Sequence, residues 1–125
     1  MTTRIQTKSF KAGGAISNYR IVKSGANDGE VLQAAAAADF LMGVVDQPSG
    51  VASGDRVDVV LQGIVEIEFA GVVTRGGPVT SDANGKAVAA APGAGTNNRV
   101  IGFAMNTQAA GDIGDVLLSQ HTMQG

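Results

Sequence analysis

Residues 57–69, Val-Asp-Val-Val-Leu-Gln-Gly-Ile-Val-Glu-Ile-Glu-Phe, constrain the fold more than any other stretch of the chain. Val57, Val59, Leu61, Val65, Ile67 and Phe69 occupy one parity, interrupted only by Gly63. The other parity holds Asp58, Val60, Gln62, Ile64, Glu66 and Glu68. Period-two alternation suits a half-buried antiparallel strand; a helix would repeat its apolar positions every three to four residues. Gly63 predicts a bulge or bend that divides the run into two strand segments.

Shorter runs bounded by Gly, Asn, Asp or Pro predict further strands at 19–23, 30–33, 41–46, 86–90, 100–105 and 115–119. Asn84-Gly85 is a hairpin signal, because both central positions of a type I′ turn need positive φ, and it predicts that residues 79–81 pair with 87–89. Ala34–Ala38 has high helix propensity, but five alanines make little more than one turn, so a turn or single helical loop is expected. Residues 93–98 read as a surface loop and residues 1–15 as an extended arm.

One pattern occurs twice. Gly43-Val44-Val45, followed by Gly54-Asp55-Arg56-Val57-Asp58-Val59-Val60-Leu61, is echoed by Gly102-Phe103-Ala104 and Gly111-Asp112-Ile113-Gly114-Asp115-Val116-Leu117-Leu118. Two such units predict an all-β domain, a small antiparallel β-barrel or sandwich with internal pseudo-symmetry. At 125 residues the chain is one domain long, so the expected organisation is an extended basic N-terminal arm, 1–15, and a single β-domain, 16–125.

Composition narrows the chemistry. Apolar residues make up 44% and charged residues 16%, too hydrophobic for a disordered chain, while aromatics are 4% and Trp is absent, which predicts a core of small side chains. No run approaches the roughly 20 apolar residues of a membrane span, and the first residues lack the apolar core of a signal peptide, so a soluble protein that is not exported is expected. The absence of Cys excludes disulfides, thiolate metal sites and thiol nucleophiles.

Charge is divided unevenly. Residues 1–23 carry Arg4, Lys8, Lys11, Arg20 and Lys23 with no acid, and the rest of the chain is net acidic. Such asymmetry points to a basic segment that meets an acidic surface.

The remaining candidates favour structural readings. Asp55 with Asp58, and Asp112 with Asp115, are spaced so that strand geometry points each pair to opposite faces, which suits turn chemistry better than a calcium site. Glu66 and Glu68 share a strand face but lack a partner base, and His121 has no companion that would make it a triad member. The single Arg75-Gly76-Gly77, without stacking aromatics, does not make a nucleic-acid binder, and no phosphate-cradling loop is present. No catalytic set, cofactor site, metal site, nucleic-acid partner or membrane partner is therefore expected.

The order of several segments resembles the small capsid decoration, or cement, proteins of tailed bacteriophages. They are Tyr19-Arg20-Ile21-Val22-Lys23, Ala38 to Val44, Ala52-Ser53-Gly54-Asp55-Arg56-Val57-Asp58-Val59, Gln62-Gly63-Ile64-Val65, Val79-Thr80-Ser81-Asp82-Ala83-Asn84-Gly85-Lys86-Ala87-Val88, Val100-Ile101-Gly102-Phe103-Ala104 and Gly111-Asp112. The resemblance covers residues 19–119. It implies a virion structural protein, made in the host cytoplasm, that binds the major capsid protein on the outside of the expanded head. It also implies reinforcement of the shell against internal DNA pressure, and homo-oligomers among which a trimer is favoured.

Multivalent attachment would let modest contacts add up. On this reading the capsid-binding residues are Arg4, Lys8, Lys11, Arg20 and Lys23, with Arg4, Lys8 and Lys11 anchoring the arm as a strap. Removing residues 1–15 is expected to leave a folded domain that no longer binds capsids; pairing of the arm with a neighbouring decoration subunit is the rival. The alternative function is a small β-domain of a head or tail fibre that binds carbohydrate, disfavoured because Tyr19 is the only Tyr and sugar sites want exposed aromatic platforms.

Overall fold

A computed structural model describes residues 3–125, with side chains from residue 5 onward. Among these residues there are nine strands and no helix. They are β1 (Thr3–Ala12), β2 (Arg20–Ser24), β3 (Glu30–Gln33), β4 (Leu41–Val45), β5 (Arg56–Glu68), β6 (Pro78–Ser81), β7 (Ala87–Ala89), β8 (Asn97–Ala104) and β9 (Ile113–Gln124). The all-β expectation is met.

The hydrogen-bonded order runs β1-β3-β2-β4-β5-β9-β8-β6-β7, with an additional pairing of β1 and β5. That extra pairing closes β1, β3, β2, β4 and β5 into a five-stranded barrel. Its core is one apolar cluster of Phe10, Ala12, Ile16, Val22, Val31, Val45, Val51, Val57 and Val59. A second ring follows the same plan: β5 pairs with β9, β9 with β8, β8 with β6 and β6 with β7. It returns to the end of β5 through the parallel bridge between Phe69 and Ala87.

The sequence echo is therefore a structural repeat. In the first unit Ala12 N donates to Asp55 O, Gly54 N to Ala12 O, and Ile16 and Val51 bridge; in the second, Phe69 N donates to Asp112 O, Gly111 N to Phe69 O, and Val73 and Gln108 bridge. Gly54 and Gly111 share a φ of 90°, a value that only glycine holds without strain. Gly43 and Gly102 match as well, because a Cβ on either would run into the carbonyl oxygen of the paired strand, at Val60 or Leu117. Tyr19, the one non-glycine residue with positive φ among the described residues, corresponds to Gly76.

β5 serves both rings. Its N-terminal half pairs with β1 and β4, and residues 64–68 pair with β9. The change occurs at Gly63, which has a φ of 114° and lies where the β1 register shifts, as the expected bulge requires. Neighbouring residues Ile21 and Val22, Val44 and Val45, and Val59 and Val60 fall into different apolar clusters, so β2, β4 and β5 form a wall buried on both sides.

Three local expectations change. The stretch read as an extended arm is extended, but from Thr3 to Lys11 it is paired with β5, and Phe10 and Ala12 are buried. Without β1 the edge of β5 and one side of the first core would be open, so the domain expected to survive removal of residues 1–15 includes part of them. The 79–81 and 87–89 pairing is as predicted, but the connection is not a type I′ turn: Gly85 alone has positive φ and the strands end at Ser81 and Ala87. Asp82 Oδ1 closes the wider loop by accepting from Asn84 N and Lys86 N at 2.8 and 2.9 Å. Finally, β8 begins at Asn97 and β9 reaches Gln124, because these ends pair with each other as a ribbon whose polar residues hide its strand character.

Candidate functional site

Of the five basic residues singled out in the sequence, the four whose side chains are described do not form one patch. Lys8 and Lys11 are exposed on β1, at registers opposite Val59 and Arg56, and their odd spacing puts them on opposite faces of the strand. The Lys8 ammonium stands 5.4 Å from the centre of the Phe10 ring, a cation–π distance. The side chain of Arg4 lies outside the described residues. Lys23 is half-buried and pairs with Asp39 at 3.4 Å.

Arg20 is used differently. It is only 8% exposed, and the positive φ of the preceding Tyr19 turns the chain so that its side chain crosses to the second repeat. Nη1 donates to Asn18 O at 2.6 Å and to Glu68 Oε1 at 2.9 Å, and Nε donates to Asn84 O at 3.0 Å. Lys86 binds the other oxygen of Glu68 at 3.1 Å. Burial pushes the Glu68 carboxyl up, but the hydrogen bonds from Lys86 and Arg20, with their charges, outweigh it and hold the group below its ordinary value. This network, with Ile21 N donating to Gly85 O at 2.9 Å, ties the first barrel to the β6–β7 hairpin of the second.

Other sequence candidates take structural places. Asp112 Oδ2 accepts from Ala109 N at 2.8 Å, the turn role expected of it. The Asp55 amide closes its turn onto Ala52 O, while Asp58 stands opposite Ser9. Glu66 lies opposite Asp115 across the β5–β9 pair. His121 Nδ1 is 2.6 Å from Ser119 O, and its ring stacks on Phe103 at 5.5 Å. No group of three or more His, Cys, Asp or Glu among the described residues could hold a metal. An open depression between Ala38, Asn97, Asn98, Arg99 and Thr122 lies beside exposed Phe40, over which Arg99 sits at 5.5 Å.

Sequence reasoning missed a surface feature. Ile64, Leu117, Phe103 and Pro78 stand in successive register across β5, β9, β8 and β6, and their neighbours Val65, Val116, Ala104 and Val79 point into the core. They form an apolar row on the outside of the second barrel, with Leu117 46% exposed. The signal that could have found it is the echo itself, which aligns Leu117 with Val60 and Phe103 with Val44.

The described residues form a doubly closed β-body whose closing strand β1 exposes Lys8 and Lys11. The chain belongs to the phage cement protein family, whose sequence profile matches residues 3–119. No curated protein matches it. Among solved structures it resembles the head fiber gp8.5 N base of bacteriophage phi29, with 18% identity, coverage of 100% of both chains and a TM-score of 0.67, a likeness of fold.

Proposed function

We propose that this cement protein attaches to the major capsid protein on the outside of the expanded head and stabilises the shell against internal DNA pressure, without catalysing a reaction. The observation that carries the reading is the family match over nearly the whole chain. The fold suits the task, because two fused closed barrels leave few ways to deform without breaking backbone hydrogen bonds.

Of the four candidate cations whose side chains are described, Arg20 and Lys23 are held by Glu68 and Asp39, and Lys8 and Lys11 on β1 are offered to solvent. The contact is with acidic groups on the capsid exterior, and several chains acting together as a homo-oligomer, a trimer being favoured, multiply its strength. Synthesis takes place in the host cytoplasm, and the working location is the virion surface.

The test is co-sedimentation of the purified protein with undecorated expanded capsids at low and high salt. Saturable binding that weakens with salt is expected, and the double variant Lys8→Glu, Lys11→Glu should bind at least about tenfold more weakly while staying folded. Absence of saturable binding would overturn the capsid reading. Undiminished binding by the double variant would overturn the assignment of β1 as the contact.

A further inference from the structure

The far end of the β8–β9 ribbon and the loop that leads into β4 enclose the open depression lined by Ala38, Asn97, Asn98, Arg99 and Thr122, with a volume of about 270 Å³. Arg99 and Thr122 are register partners across the ribbon, and Asn97 lies two residues back on the same face of β8. The loop opposite is pinned at several points. Arg99 N donates to Ala37 O at 2.7 Å, and Asp39 Oδ2 accepts from Ala35 N at 2.9 Å and pairs with Lys23 at 3.4 Å. Phe40 sits between this anchor and β4, and 54% of it stays exposed with the Arg99 guanidinium over its ring.

The lining has a one-sided chemistry. Arg99 supplies a planar fork of donors, Asn97 and Asn98 supply amides, and Thr122 supplies a hydroxyl. None of these four side chains makes a hydrogen bond or ion pair with another described residue, and no carboxylate lines the depression. The place of the guanidinium over Phe40 restrains it while leaving its N–H donors free, which suits a bidentate grip on a carboxylate. A carboxylate alone would leave the amides and the Thr122 hydroxyl unused. Those groups fit hydroxyl partners, and the exposed ring offers an apolar surface to C–H groups. Small-ligand sites combine an apolar surface with a few placed polar groups, and this volume, just under the roughly 300–1,000 Å³ of sites for drug-sized ligands, suits a single ring.

We infer that this depression binds a sugar ring that carries a carboxylate, a uronic acid unit of an acidic polysaccharide. Arg99 takes the carboxylate, Asn97, Asn98 and Thr122 take ring hydroxyls, and Phe40 packs against the C–H groups. Phe40 is thus the exposed aromatic platform that a count of Tyr and Trp overlooks. The inference is independent of capsid attachment.

Titration of the isotope-labelled full chain, followed by two-dimensional NMR, tests it without capsids. Glucuronate should shift the Asn97, Asn98, Arg99 and Thr122 signals saturably, with a Kd on the order of 1–10 mM. Glucose and acetate, each with part of the chemistry, should bind at least about fivefold more weakly. Phe40→Ala and Arg99→Gln should each weaken glucuronate binding at least about fivefold with the remaining signals unchanged, since both side chains are exposed. Val72→Ala, at a residue 71% exposed and outside the depression, should bind like the wild type. Absence of saturable shifts with glucuronate would overturn the proposal. Equal binding of acetate would overturn it as well, since the depression would then hold any carboxylate, and equal binding of glucose would remove the acid from the ligand. Undiminished binding by Phe40→Ala or Arg99→Gln, or equal loss in Val72→Ala, would overturn the placement of the site.

Discussion

The two barrels are built on one plan and close in different ways. In the first, the closing strand β1 is the beginning of the described chain, attached through its pairing with β5, its short parallel contact with β3, the burial of Phe10 and Ala12, and its connection to β2. In the second, the corresponding strand is the C-terminal half of β5, held at one end by the first barrel. The cores also distribute volume differently: Ala12 faces Val31 across the parallel pair of the first barrel, where Phe69 faces Ala87 in the second. The difference teaches that pairing pattern and tight glycine contacts define the repeat, while the identity of the core residues drifts as long as the bulky side chain has a small partner.

The largest effect should come from removing the strand that makes the closures unequal. Deleting residues 1–12 takes away Phe10, Ala12 and the β1–β5 ladder, so the melting temperature should fall by more than about 10 °C or the cooperative transition should vanish. Differential scanning calorimetry is the measurement; an unchanged transition would mean that β1 is not needed for the first barrel.

A sharper comparison places the same change in both repeats. Gly43→Ala and Gly102→Ala each force a methyl group against a paired carbonyl, and each should cost about 2 kcal/mol in urea unfolding. A neutral result at one site and not the other would break the structural equivalence of the repeats.

The smallest effect concerns the ionic tie between the barrels. The Glu68 carboxyl is held below its unfolded value, so it contributes stability that is complete above the ordinary carboxylate range, about 4.3, and is lost as pH falls through the lowered folded value. Glu68→Gln should therefore melt lower than the wild type at pH 7, and the gap should narrow as both are titrated towards about pH 3. A gap independent of pH would remove the carboxylate charge from the account.

Much of this was legible beforehand, for reasons that residues make plain. The alternation of 57–69 encodes a strand because one face meets a core, Gly63 marks the place where it changes partners, and the start of β3 follows from the Asn27-Asp28-Gly29 that precedes it. The repeat showed itself through Gly54 and Gly111, whose backbone conformation few other residues tolerate. The closure by β1 was not legible, since Thr-Arg-Ile-Gln-Thr-Lys-Ser has a single apolar residue, Ile5, and no alternation, and its partner lies far away along the chain. Nor was the burial of Arg20: a sequence records its charge but not that Glu68, Asn18 and Asn84 would converge on it. In a sequence a cation is read alike whether it is tied inward, as Arg20 is, or faces solvent, as Lys8 and Lys11 do.

The shared strand β5 has a kinematic consequence. Two globular bodies in one chain ordinarily meet across a linker, where they swing and where proteases cut. Here the segment joining them is itself hydrogen-bonded along both bodies, so rotation of one lobe against the other requires backbone bonds to shear. Load applied at either end is therefore carried through a single continuous beam with no hinge in its path.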